Sequence, residues 1–125
     1  MPTRPDNLRY SRTHEYVNLE GEIATIGITD YATEELGDVV FVELPKVGAH
    51  YDAGKTFGVV ESVKAVSDLY LPIGGTVTAV NTTIEGEPAL VNKDPFGAGW
   101  MVKLKVDDPG QVAKLMSRQE YDDAL

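Results

Sequence analysis

The sequence predicts a mostly β domain, a small sandwich or flattened barrel, with one short early helix and a helical segment at its C-terminal end. Three observations predict it. Short runs of β-branched and aromatic residues recur along the chain, parted by Gly, Pro, Asn and Asp. One complete set of helix start and stop signals lies between Thr29 and Gly37. After Asp108-Pro109 the apolar spacing changes from alternation to a helical period.

Taken in order, residues 1–9, with Pro2 and Pro5, form an extended lead-in. Residues 15–19 and 22–28 are two β-prone runs, joined by a turn at Glu20-Gly21. The Thr29 hydroxyl can cap a helix over residues 30–36, Asp30 suits its positive end, and Gly37 suits its stop. Residues 38–44 alternate as a strand until Pro45 ends them. Residues 46–55, with two glycines, form a loop.

Residues 56–71 contain no glycine after Gly58 and no proline. Strands mostly run about 3 to 10 residues, so this run folds back on itself. Its only central polar cluster is Glu61, Ser62 and Lys64, which puts Lys64 at or beside the tip of a hairpin. Residues 76–81 form a strand. Residues 82–99, rich in Gly, Pro and Asn, form a long, mostly irregular connection, and residues 100–106 alternate as a strand. Residues 108–125 make the helical appendage. Pro109 takes the first helical position, and Val112, Leu115 and Met116 make one apolar face. Ser117-Arg118-Gln119-Glu120 has capping-box spacing and starts a second short helix. At 125 residues the whole chain suits one domain.

Acidic residues outnumber basic ones by 20 to 11, a net charge of −9. Such a surface is repelled by nucleic acid and by anionic membrane, and suits basic patches on partner proteins. There is no cysteine, which excludes disulfides, thiolate–metal sites and Cys nucleophiles. The two histidines, His14 and His50, are too few for a His-based metal site, and no metal is expected. His14 reads as structural and His50 as a loop residue without a role. Trp100 reads as a core or edge anchor. No apolar run reaches the length of a bilayer span, and no targeting segment precedes Arg9, so the expected compartment is the cytoplasm.

A lysine at a hairpin tip has chemical meaning, because a modifying ligase must reach the ε-amine from outside. A rigid perch avoids ordering a loop at each recognition. On spacing alone a plain surface lysine is the commoner case. The motif changes this. Glu61-Ser62-Val63-Lys64-Ala65 resembles the lipoylation signature of glycine cleavage H proteins. Four further blocks resemble that family in the same order: Tyr10-Ser11-Arg12-Thr13-His14-Glu15-Tyr16-Val17; a central block made of the segment from Ile26 through Asp30 to Ala32 and the segment from Leu36 to Pro45; Gly74-Gly75-Thr76-Val77 with Asn81; and Leu90-Val91-Asn92 with Asp94-Pro95 and Gly99-Trp100.

The resemblance implies a barrel-sandwich hybrid of the biotinyl/lipoyl kind, with lipoate attached covalently to Lys64. It implies a shuttle with no catalytic residue of its own. The arm would take an aminomethyl group from a pyridoxal-phosphate glycine decarboxylase (P protein) to a tetrahydrofolate-dependent aminomethyltransferase (T protein). A dihydrolipoyl dehydrogenase (L protein) would reoxidise it, and a lipoate ligase or lipoyl transferase would attach it. The carrier is expected to be a monomer. Cofactors perform such group-carrier chemistry, while the protein attaches, orients and shields them. The absence of cysteine fits, because a nearby thiol could trap the arm as a mixed disulfide.

By the same resemblance Thr13, Glu15 and Asp68 match the positions that line a cleft for the loaded arm, and Glu61 guides the ligase or a partner enzyme. Tyr16 stands where a Trp is common, and Glu35 stands where the family varies. The alternatives are a lipoyl relay for protein lipoylation and a lipoyl domain of another multienzyme complex. The second usually has Asp just before the lysine, where this chain has Val63.

Overall fold

In the computed structural model, which describes residues 4–125, two antiparallel sheets face each other across one main core. The larger sheet holds β1 (Arg9–Tyr10), β2 (Glu15–Glu20), β3 (Ile23–Ile28), β5 (His50–Tyr51), β8 (Gly75–Val80) and β9 (Val102–Val106), in the order β1-β2-β3-β9-β8-β5. The smaller holds β4 (Val39–Glu43), β6 (Thr56–Ser62) and β7 (Val66–Tyr70), in the order β4-β6-β7. The sheets do not join into a closed barrel among the described residues. The first three residues of the expected lead-in lie outside that range.

The early elements form where their residues dictate. β2 and β3 pair in register from Glu15 opposite Ile28 to Glu20 opposite Ile23, around Gly21 at φ 64°. Helix α1 (Asp30–Leu36) starts at Thr29, whose hydroxyl accepts from the Ala32 N–H, and ends at Gly37, whose φ of 77° a side chain would resist. The hairpin of β6 and β7 occupies the run that is too long for one strand. Ile26, Leu104 and Val77 of the larger sheet and Val60 and Leu69 of the smaller are buried in one cluster. A second, smaller cluster joins Leu8, Tyr10, Tyr16 and Tyr121.

Four expectations need correction. Residues 82–99 are not mostly irregular: they carry α2 (Thr82–Gly86) and α3 (Ala89–Lys93), which drive Ile84 and Val91 fully into the core. Single turns of helix are too short to show a period, so composition hid them. The loop at 46–55 contains β5, two residues paired with Thr76 and Gly75. The last long strand begins at Val102 rather than residue 100. In the appendage, α4 (Gly110–Ala113) and α5 (Arg118–Ala124) are separated by a bridge from Met116 to Tyr10. That bridge splits the expected apolar face: Val112 and Leu115 join the main core, and Met116 packs with the tyrosines. The capping box at Ser117 and Glu120 is present.

Candidate functional site

Lys64 stands at the end of the β6–β7 hairpin, in a tip of three residues between Ser62 and Val66. Ser62 builds the tip. Its N–H donates to the Ala65 carbonyl at 2.8 Å, and its buried hydroxyl accepts from the N–H groups of Lys64 and Ala65 at 3.2 and 3.1 Å. A second brace comes from the neighbouring loop, where the Val63 N–H donates to the Asp38 carbonyl at 3.0 Å. The Asp38 segment is itself held by Asn92 of α3, which accepts from the Val39 N–H and donates to the Gly37 carbonyl, each at 2.9 Å. Val63 and Val66 are two-thirds exposed, and Glu61, Lys64 and Ala65 are exposed as well. The Lys64 amine forms no ion pair among the described residues. Its stem passes over Gly37, where a Cβ would come within 3.2 Å of the Lys64 Cε.

Beside the hairpin lies an open cleft of about 160 Å³. It brings together Thr13 from the turn before β2, Glu15 from the start of β2, Glu35 and Leu36 from α1, and Ser67 and Asp68 from β7. The three residues that the motif resemblance singles out for the cleft, Thr13, Glu15 and Asp68, therefore share one concavity. Glu61 does not line it.

Glu15 is only 2% exposed. Hydroxyls of Ser11, at 3.0 Å, and of Thr13 donate to its Oε1, and the Tyr70 N–H donates to Oε2 at 3.4 Å. Burial dominates these hydrogen bonds and raises its carboxyl to about 7. A cation entering the cleft would favour the ionised form and be held by it. Asp68 and Glu35 are exposed at the rim, so their attraction is weaker and screened.

Sequence reasoning missed two contributors. His14 reads as a bland histidine, yet it lines the cleft with a left-handed backbone at φ 71°, and its Nδ1 lies 2.7 Å from the Tyr121 hydroxyl. Its pKa is lowered by burial, against an upward pull from Glu35. No local sequence signal marks a non-glycine left-handed residue. Asn92 appears in the sequence only within a family-like block, and its reach to Gly37 and Val39 depends on helix α3, which the sequence does not announce. Tyr16, in a place where Trp is common, fills its site with a ring packed on Gly27 and a hydroxyl that donates to the Pro95 carbonyl at 2.6 Å. Trp100 is partly buried just before β9, under the Lys103 ammonium. His50 pairs with Asp107 at 2.6 Å on the exposed far edge.

These residues suit an amide-linked prosthetic arm. The amine is exposed on a stiff mount, and a buried carboxyl with hydroxyl donors waits in an adjoining groove. Two packed sheets presenting such a lysine define a small cofactor-carrier domain. The comparisons with known proteins make the class specific. A family model described as glycine cleavage H-protein matches residues 8–125. A probable glycine cleavage system H protein of Haloarcula marismortui is 54% identical over 97% of this chain and 95% of its own length. The glycine cleavage system H protein of Rubrobacter xylanophilus is 55% identical over 97% and 94%. The crystal structure of a glycine cleavage system H protein from Mycobacterium marinum superposes with a TM-score of 0.88 at 38% identity, covering 97% of this chain and 99% of that one.

The chain belongs to the glycine cleavage H-protein family. It is a non-catalytic lipoyl carrier of the glycine cleavage system, and membership of that system implies contact with its other components.

Proposed function

We propose that Lys64 bears the lipoyl group as an amide, and that the cleft of Thr13, Glu15 and Asp68 receives the arm when it is loaded. The observation that carries this reading is the exposed Lys64, without an ion pair among the described residues, on a tip braced by Ser62 and Asp38, beside a groove floored by a buried carboxyl. When bound, lipoate supplies a dithiolane that accepts an aminomethyl group as its ring opens. The chain's own residues do the rest. Ser62 and Val63 hold the attachment point still. Glu15, ionising as the cationic amine arrives, holds the cargo, and Asp68 adds charge at the rim. Leu36, Ile28 and Leu69 keep water from one side of the groove.

Glu61, Val63 and Ala65 form the face that a lipoate ligase or lipoyl transferase reads. The partners that exchange cargo are the P, T and L proteins, and the whole chain works as one monomeric carrier domain in the cytoplasm. No described helix is long and apolar enough to cross a membrane. Protein made with lipoate and lipoate ligase should gain one lipoyl amide, mapped to Lys64 by peptide mass. Lys64→Arg should gain none. Addition at another lysine, or none in the parent, would defeat the assignment.

A further inference from the structure

The Tyr121 side chain, on α5, is 1% exposed and far in sequence from the cleft. Its hydroxyl lies 2.7 Å from His14 Nδ1 and 2.8 Å from Thr29 Oγ1. Those two partners belong to adjoining segments of the groove, side by side where the β2–β3 pairing ends. His14 sits between Thr13 and Glu15, which form one segment. Thr29 caps α1, and α1 supplies Ala32, Glu35 and Leu36 to the other. The segments also share one backbone bond, from the Thr29 N–H to the His14 carbonyl at 3.0 Å.

We propose that Tyr121 is a positioning residue for the arm cleft: its hydroxyl ties the His14 turn to the α1 cap and fixes how these two adjoining segments stand at that end of the groove. The proposal rests on the reading that this groove receives the loaded arm. The donors balance. A phenol has one proton to give and lone pairs to receive. Thr29 already accepts from the Ala32 N–H at 3.2 Å, so its own proton is free for the Tyr121 oxygen. Tyr121 then donates to Nδ1 of a neutral His14, consistent with the burial that disfavours the imidazolium. The ring is fixed from behind by Tyr10, stacked with centroids 4.9 Å apart, and by the Arg4 guanidinium 5.5 Å from its centre. A rigid phenol anchored in a packed cluster can therefore hold both segments.

The test compares Tyr121→Phe with Tyr10→Phe in the full chain. Tyr10 loses a comparable bond, to the Pro5 carbonyl at 2.6 Å, and does not line the groove. In the unlipoylated protein, amide hydrogen exchange should quicken in residues 12–16 and 30–37 together for Tyr121→Phe and in neither for Tyr10→Phe. In the lipoylated, reduced protein, formaldehyde and ammonium load one thiol: the S–H bond is replaced by S–CH2–NH3+, and the formaldehyde oxygen leaves as water. Loss of that added mass should be about three- to tenfold faster in Tyr121→Phe than in Tyr10→Phe, the range expected for one hydrogen bond.

Equal exchange in the two variants would overturn the proposal. So would faster exchange without faster loss, if Glu15→Gln does lose its cargo faster. If Glu15→Gln retains its cargo like the parent, the cleft reading itself has failed, and the role of Tyr121 in it fails too. Should Tyr121→Phe not fold, His14→Gly removes the same link from the other end while tolerating the left-handed backbone, and should give the same pattern.

Discussion

At Glu15, burial and hydrogen bonding pull the carboxyl in opposite directions, and burial prevails, raising it to about 7 from 4.5. A raised carboxyl pKa means the folded chain holds a proton that the unfolded chain has released. Stability from this group is therefore full below about 4.5 and falls as the pH rises through about 7. The loss is on the order of 3 kcal/mol. Glu15→Gln, which cannot ionise, should be flatter by about that amount between pH 5 and pH 8 in urea unfolding, and more stable than the parent at pH 8. An unchanged slope would show that Glu15 titrates normally. The partners of Glu15 were legible as residue types in the His14-Glu15 block. The degree of burial was not, because it depends on Tyr70 and Leu69 arriving from a strand far along the chain.

Among the elements, the β6–β7 hairpin was the most legible, since excess length and a central polar cluster leave few other foldings. Its interior carries a constraint that sequence hides. At Gly58 a Cβ would lie 2.2 Å from the Glu43 carbonyl of β4. Backbone cannot yield as a flexible side chain can, so Gly58→Ala should push β4 from β6 and destabilise the fold by about 2 to 3 kcal/mol. Thermal unfolding would measure it, and a change below about 0.5 kcal/mol would mean the sheet relaxes freely. Helices α2 and α3 were illegible for a different reason. They are held by Ile84 and Val91 in the core and not by propensity or by side-chain N-caps, and neither helix has such a cap bond.

For the molecule as a whole, the two-layer β class, the early helix and the helical tail all follow from local signals, and the structure has them. The order of strands does not, because it is fixed by contacts between distant segments such as β3 with β9. The net charge of −9 is a property of the entire surface. Long-range attraction to a basic partner is screened within about 8 Å at physiological salt. Association with the aminomethyltransferase should therefore slow as sodium chloride rises, with dissociation changing less. Stopped-flow mixing would check this, and a salt-independent association rate would rule out steering by charge.

The double hold of Asn92 on Gly37 and Val39 can be read in mechanical terms. Lys64 is mounted on a strut: Val63 leans on the Asp38 carbonyl, and Asn92 pins the chain on both sides of Asp38. Compliance at the tip is then governed by a helix that never meets the arm. In Asn92→Ala the mount should soften, with lower NMR order parameters at Val63 and Lys64 and a higher KM for lipoate ligase at unchanged kcat. On the proposed attachment at Lys64, that lysine would thus owe its steadiness to one amide side chain on the far side of the joint.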